Sequence, residues 1–430
     1  MKKILLAFYG DDFTGSTDAL EFITTAGAKS ILFIDPPSQE TLAKFPNLNA
    51  FGVAGKTRAL PPEEMEEVLM EAFTAIKSIQ PQHIHYKVCS TFDSSQNIGS
   101  IGKAIDCGLA VFQNKKIPVI GGTPALGRYC VFGNLFAQMG IGSQGNVYRL
   151  DRHPSMSKHP VTPSSESDLR IHLSKQTTQN IGLLDFVQMQ QPQNNWADKL
   201  TDEKVILIDA LYNEQMPRIG AFMEQMASEN SPLFSVGGSG VEMALGGYWN
   251  KTNILHPKKE WKTLAPSEKL LVVSGSCSPI SANQIKYAKQ HGFDEIILDA
   301  LAISKRNCLD ETLFEILSEK FETSNKIIVH TGDKKTDNLP SEILGNALGL
   351  IAKYAVEQCN IKRVVVAGGD TSSYAARAMQ IKAVEMITPV VKGAPLCKAY
   401  SDNVMIEGLE VNFKGGQVGS ENYFTLFVSE

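Results

Sequence analysis

Short aliphatic runs, each closed by a turn of glycine, serine or aspartate and followed by an amphipathic stretch, recur from one end of this chain to the other. That alternation constrains the fold more than any other feature. Strand-like and helix-like periods in turn imply an α/β class with mainly parallel sheets, covered by helices on both faces. The pattern starts at once: Lys3-Ile-Leu-Leu-Ala-Phe-Tyr9 reads as a buried strand and Gly10-Asp-Asp-Phe-Thr-Gly-Ser16 as its turn. The following helix carries Ala19, Leu20, Phe22, Ile23 and Ala26 on one face and closes at Gly27. Ser30-Ile-Leu-Phe-Ile34 makes the next strand, so residues 3–34 predict a βαβ unit. Ligands of open α/β sheets sit beyond the carboxyl ends of the strands, where Asp11 and Asp12 fall. One of them could simply cap the helix. Two adjacent carboxylates, however, repel each other and lose solvation unless something compensates, and the pair together with Thr14 points to function.

The same grammar continues. Phe51-Gly-Val-Ala-Gly55 reads as a strand that leaves Lys56, Thr57 and Arg58 at its end, and residues 63–79 as an amphipathic helix with acids in its first turn. His83-Ile-His-Tyr-Lys-Val88 alternates as a strand and opens into the hydroxyl-rich loop Cys89-Ser-Thr-Phe-Asp-Ser-Ser95, before a helix near 98–109. Pro118-Val-Ile120 is a strand followed by Gly121-Gly-Thr-Pro124. From about 145 to 170 the chain is irregular, and a loop that long often binds something. Strands at 205–209 and 233–236 follow, the second turning through Gly237-Gly-Ser-Gly240. The polar segment 256–269, with two prolines, reads as a linker, so the expected domains are 1–255 and 270–430. Beyond it, strands are predicted at 270–273, 295–298, 326–330 and 363–367, with helices at 281–291, 310–322 and 341–359. After 380 the elements shorten, ending in a strand over Tyr423–Val428.

Composition removes several classes of function. A net charge of −5 and the absence of a basic run give no reason to expect nucleic acid. No apolar stretch reaches the roughly 20 residues of a membrane helix, and the N-terminus enters a strand without a signal-peptide cleavage site. The seven cysteines, Cys89, Cys107, Cys130, Cys277, Cys308, Cys359 and Cys397, are scattered and form no C-x-x-C pair. Reduced thiols in a cytoplasmic protein fit that usage better than structural zinc. The close histidines, His83/His85 and His153/His159, lack partners at metal-site spacing.

Three turns of the second domain suit phosphate. Ser274-Gly-Ser-Cys-Ser278 and Gly368-Gly-Asp-Thr-Ser-Ser373 each follow an apolar strand and open a helix, and Lys414-Gly-Gly-Gln-Val-Gly419 is glycine-rich. Glycine admits close backbone approach, and a helix N-terminus aims N–H groups at an anion. None is a Walker A loop, and no G-x-G-x-x-G follows a strand, which disfavours a dinucleotide oxidoreductase. The first domain mixes carboxylates (Asp11, Asp12, Asp18), cations (Lys56, Arg58, Lys87, Arg128, Arg149, Arg152) and hydroxyls (Ser90, Thr91, Ser94, Ser95). That mixture suits a small polyhydroxy acid, an arginine clamping its carboxylate. Cys89 has no assignable base, so a thiol nucleophile is disfavoured. An acid-sugar site and a nucleotide site on separate domains suggest phosphoryl transfer, which needs a base at the alcohol and metal ions on the phosphates.

Taken together, these residues resemble the four-carbon acid sugar kinase family over essentially the whole chain. The motif Gly10-Asp-Asp-Phe-Thr-Gly-Ser-Thr-Asp18 is similar to the family's sugar-binding signature, as is Thr57-Arg58. The turns at 274–278, 368–371 and 414–419 are similar to its nucleotide-domain motifs. The resemblance implies two α/β domains with an active-site cleft between them, ATP with Mg2+, a small-molecule sugar acid as partner, and room for a homodimer. It implies catalytic roles for Asp11 and Asp12, without deciding which is the base, and sugar-acid contacts for Arg58, Lys87, Ser90 and Thr91. ATP contacts are implied for Ser274, Ser276, Gly368, Gly369, Asp370, Thr371 and Gly416; metal ligands are not assigned. In common members the stretch after Lys87 carries an Asp and an Arg where this chain has Cys89 and Asp93. The Cys-Ser-Thr-Phe-Asp-Ser-Ser version looks like the 3-oxo-isoapionate kinase branch, which makes the 4-phosphate. Threonate, erythronate or 2-dehydrotetronate are the alternatives, and a non-catalytic sugar-acid sensor is the rival of another class.

Overall fold

The computed structural model describes residues 3–139, 145–159, 161–196, 200, 202–229, 232–306, 309–332 and 340–428, without the side chains of Glu229, Arg306 and Asp370. The chain forms two compact units, the first drawn from residues up to 259 and the second from residues 260 onward together with Leu32–Ile34.

Strands of the first half are β1 (Leu6–Gly10), β2 (Ser30–Phe33), β3 (Ala50–Ala54), β4 (His83–Lys87), β5 (Ile117–Ile120), β6 (Arg128–Val131), β7 (Asn134–Gln138), β8 (Val147–Arg149), β9 (Ile181–Leu184), β10 (Val205–Ile208) and β11 (Leu233–Gly237). The order β3-β1-β4-β11-β5-β10-β9 makes one sheet, parallel throughout. Every residue of β1, β3, β4 and β11 is buried, because helices cover both faces. Between helices and sheet, Phe73 meets the rings of Tyr9, Tyr86, Phe112 and Phe234 at centroid distances of 6.2, 6.1, 5.6 and 5.2 Å. Phe73→Ala would empty the middle of that cluster, and a loss of about 3–5 kcal/mol is expected in urea unfolding of the first unit.

The first three elements form as the sequence predicts, but they do not make a βαβ unit of paired strands. The neighbours of β1 are β3 and β4, and Leu32 and Phe33 pair antiparallel with Val384 and Ala383 inside the second unit. Local periodicity carries no information about which strands pair. A second difference is the small antiparallel sheet β6-β7-β8, part of which falls in the stretch expected to be irregular. Its strands are short, and their residue types do not follow their burial: β6 buries Arg128 and Cys130 and leaves Tyr129 and Val131 half-buried. Phe132 and Gly133, between Val131 and Asn134, have φ of 50° and 80°, as a two-residue hairpin turn requires.

In the second unit, β12 (Leu270–Ser274), β13 (Asp294–Ile297), β14 (Lys326–His330), β15 (Arg363–Ala367), β16 (Ala383–Val391), β17 (Ala394–Tyr400) and β18 (Glu410–Lys414) run in the order β13-β14-β12-β15-β18-β17-β16. The first five are parallel; β17 is antiparallel to both β18 and β16. Tyr423–Phe427 is a 3-10 turn, not the strand expected there. Tyr423, Phe424 and Phe427 are all buried in the core, a spacing that one face of a strand cannot satisfy but a helical turn can. Among the described residues no helix is long and apolar enough to cross a membrane.

Candidate active site

Strand register decides what gathers at the edge of the first unit. Ala54, Gly10, Lys87, Gly237 and Ile120 stand side by side across five parallel strands. The turns that leave those strands therefore open along one carboxyl edge, where Asp11, Asp12, Arg58, Lys87, Ser90 and Thr91 lie.

The two aspartates differ sharply. Asp12 is committed: it caps the helix Phe13–Thr25 by accepting from Gly15 N at 2.6 Å, accepts from Thr14 Oγ1 at 3.0 Å, and pairs with Arg58 at 2.7 Å. Asp11 is buried, accepts from Cys89 N at 3.3 Å through Oδ2, and leaves Oδ1 without a partner. Burial, and then the charge of Asp12, push its carboxyl up to about 7, against the pull of Arg58 and Lys87. Lys87 is buried over Gly15, donates to Val88 O at 3.0 Å and lies 3.7 Å from Asp18. Burial alone would lower its pKa, but Asp18, Asp11, Asp12 and Glu242 together raise it and keep it charged. Asp18 in turn accepts from Ser239 Oγ.

Ser90 packs beside Gly238, and the buried Thr91 donates to Asp93 at 2.7 Å. Burial and Asp93 raise the Cys89 thiol to about 12, so it stays protonated. Some cations named from sequence fall away from this group: Lys56 and Arg152 are exposed, and Arg149 forms a two-point pair with Asp151. Thr123, Ser239 and Glu242 belong to the edge and were not singled out from sequence. The available signal was the glycine pairs at 121–122 and 237–238, read only as turns.

In the second unit the register aligns Ser274 with His330 and Ala367, and Ala367 with Lys414. All three glycine turns thus leave one carboxyl edge, and they touch. A Cβ on Gly275 would lie 2.4 Å from Thr371 Oγ1, and one on Gly416 would lie 2.6 Å from Ser276 Oγ. Ser278 caps the helix Pro279–Gln290 through Ser281 N at 3.0 Å, and its hydroxyl donates to Gly416 O. Ser274 Oγ is buried with no partner. Gly368 has φ +127°, and no side chain caps the helix it opens, Gly369–Ala378, so those N–H groups remain for an anion. The Asp370 side chain lies outside the described residues.

Lys414, unremarked as a single residue in the sequence, supports these turns from below. It is fully buried, donates to Ser281 Oγ at 3.2 Å, and lies over the rings of Tyr423 and Phe424; burial lowers its pKa to about 7. A cavity of about 870 Å³ adjoins the turns, lined by Ser276, Ser278, Lys286, Lys289 and His330 among others, a size that suits a nucleotide-sized ligand.

Residues 6–245 match the sugar-binding N-terminal domain of a known family, and residues 271–424 match its nucleotide-binding C-terminal domain. The chain belongs to the four-carbon acid sugar kinase family. It is a phosphotransferase with a hydroxyl acceptor. A 3-oxo-isoapionate kinase of Paraburkholderia graminis is 36% identical, over 98% of this chain and 93% of its own. A 3-oxo-tetronate kinase of Pseudomonas savastanoi is 25% identical, over 98% and 96%. Among solved structures, a Salmonella typhimurium protein superposes with a TM-score of 0.76 at 22% identity, covering 99% of this chain and 98% of its own. One from Haemophilus influenzae gives 0.70 at 20% identity, covering 98% of each. Both share the two-domain α/β fold of this kinase.

One feature of the kinase agrees with that membership. Both edges carry buried polar atoms that no protein group satisfies, Asp11 Oδ1 and Asp18 Oδ1 in the first unit and Ser274 Oγ in the second. Buried polar groups are nearly always hydrogen-bonded, so an unsatisfied one at a strand end marks a place for a ligand.

Proposed function

We propose that the first unit binds a small oxidised sugar acid and that the second binds ATP, whose γ-phosphoryl passes to a primary hydroxyl of the acid. The observation that carries this reading is the carboxylate of Asp11, buried, with one oxygen uncommitted and a pKa near 7. A general base works best when its pKa lies near the working pH. In the proposed step Asp11 takes the hydroxyl proton as the oxygen bonds to the γ-phosphorus, the bond to the bridging β–γ oxygen breaks, and ADP leaves. Asp12, held by its cap and by Arg58, fixes the turn that presents Asp11. Lys87, kept positive by its carboxylate neighbours, holds the local charge near balance once Asp11 ionises. Ser274, Ser276, Gly368, Gly369, Asp370, Thr371 and Gly416 would line the phosphate path.

Mg2+ fits as an ion carried by the nucleotide. Among the described residues no group of three His, Cys, Asp or Glu side chains is spaced to hold a metal, and magnesium commonly keeps its waters and binds through phosphates with one or two carboxylates. Bound, it would neutralise phosphate charge.

The substrate favoured by similarity is 3-oxo-isoapionate, since the relative carrying that name is 36% identical over nearly the full length. The second choice, 3-oxo-tetronate, rests on relatives at 23–25% identity. ADP release should be measured with Mg·ATP against 3-oxo-isoapionate, 3-oxo-tetronate, 2-dehydrotetronate, D-threonate and D-erythronate. Turnover is expected to be highest, by at least tenfold in kcat/KM, on 3-oxo-isoapionate. No turnover on any of the five would sink the kinase reading.

A further inference from the structure

The first unit contains two buried cations among its described residues, Lys87 and Arg128. Lys87 has its carboxylate, Asp18. Arg128 has none: its side chain spends NH1 on the carbonyls of Leu126, Gly127 and Gln138, at 3.1, 3.3 and 3.0 Å. Nε is buried without a partner. A guanidinium held by neutral carbonyls, with a second donor left open, is an unusual thing to bury. Arginine is suited to planar anions because its donors form a fixed fork.

Its surroundings locate that open donor. Thr123 and Arg128 exchange backbone hydrogen bonds at 2.9 and 3.2 Å. A Cβ on Gly238 would lie 3.1 Å from Thr123 Oγ1 and 3.3 Å from Ser90 Cα, which brings the turn after β5 against the loop after β4. Thr123 Oγ1 is itself buried and unpartnered. Cys89, Asp93, Asp18 and Tyr129 act on the charge of Arg128, and Arg128 in turn acts on His153. Arg128 Nε, on the small sheet bridged to Thr123, and Thr123 Oγ1 therefore offer donors, and Asp11 Oδ1 and Asp18 Oδ1 acceptors, among the elements that follow the carboxyl edge of the parallel sheet.

We infer that Arg128 is the residue that receives the carboxylate of the sugar acid, with Thr123 donating beside it, while the aspartates face the hydroxyl end. The inference rests on the sugar-acid reading above and deepens it. The cations named from sequence, Arg58 foremost among them, are disfavoured for this role: Arg58 is drawn to Asp12, Arg149 to Asp151, and Lys56 and Arg152 are exposed.

The test compares the acid of the five-member panel with the highest kcat/KM against its carboxamide, a neutral isostere, in wild type, Arg128→Gln and Arg128→Lys. Wild type should prefer the acid. In Arg128→Gln, KM for the acid is expected to rise about 10- to 100-fold, with KM for the carboxamide within threefold of wild type, so the preference collapses. Arg128→Lys keeps the charge but not the fork and should restore part of it. If Arg128→Gln fails to fold, judged by circular dichroism, the acid-to-amide ratio of Arg128→Lys decides, with a fall of at least fivefold expected. An unchanged ratio in a folded variant, or equal loss for acid and amide, would overturn the assignment while leaving the kinase reading intact. Absence of any turnover by wild type would instead remove the reading on which the assignment rests.

Discussion

Asp11→Asn is expected to lower kcat by about 10²- to 10⁴-fold, the range that a positioned general base contributes. ATP affinity, read by calorimetry, should not move, because Asp11 belongs to the first unit and the phosphate turns to the second. In wild type, kcat should rise with pH through about 7, where the Asp11 carboxyl ionises, and this limb should vanish from the residual activity of Asp11→Asn. Stability supplies an independent sign. The folded-state pKa is raised above the ordinary 3.8, so the fold favours the protonated acid. Its contribution is fully present below pH 3.8 and is lost as pH rises toward and through 7. Asp11→Asn removes that ionisation and should raise the melting temperature more at pH 8 than at pH 5. Asp12→Asn should behave differently, since Asp12 caps a helix and pairs with Arg58. Asparagine caps a helix about as well as aspartate, so its cost is the loss of the Arg58 pair. Because the Asp12 charge helps raise the Asp11 carboxyl, the pH-dependent limb should be kept but moved to lower pH. Wild-type turnover by Asp11→Asn would exclude the base assignment.

Gly368→Ala should have the largest effect on the nucleotide side. At φ +127° and ψ +132° the residue occupies a region that L side chains rarely adopt, and an added Cβ would lie 2.7 Å from Thr371 Oγ1. Backbone strain of this kind costs about 1–3 kcal/mol. The turn can relieve it only by moving Thr371 and the first N–H groups of the helix Gly369–Ala378. Affinity for a non-hydrolysable ATP analogue is therefore expected to fall about 10- to 100-fold, with sugar-acid binding unchanged. Gly408→Ala is the matched control. It also sits at positive φ, 81°, but its Cβ would have nothing within 4 Å. It should cost stability and leave nucleotide affinity alone. An ATP affinity within twofold of wild type in Gly368→Ala would count against the turn as a phosphate site.

Much of this was already legible in the residues. Aliphatic runs such as Leu6–Gly10 and Leu270–Ser274 could only be strands covered on both faces, and the turns after them carry the polar groups that an α/β sheet presents to ligands. Motif order was enough to suggest the family, which the full-length match then established. Periodicity is a local property, however, and three things here are not local. Strand order paired β1 with β3 and β4, not β2. The short strands from 128 to 149 bury Arg128 and half-expose Val131, so their residue types do not report their faces. The aromatic run 423–427 follows the shape of the core it fills, not a period of two.

The site divides along the same line. Sequence named Asp11 and Asp12 as a pair and could not tell them apart, because the difference lies in their partners. Gly15 and Arg58 take up Asp12, whereas Asp11 faces Cys89 N and keeps one oxygen free. Arg128 was one of six candidate cations until its burial among carbonyls and its proximity to Thr123 were known. Residue type thus fixed which chemistry was available. Only packing decided which groups had their charge and hydrogen bonds already spent, and so which remained for a substrate.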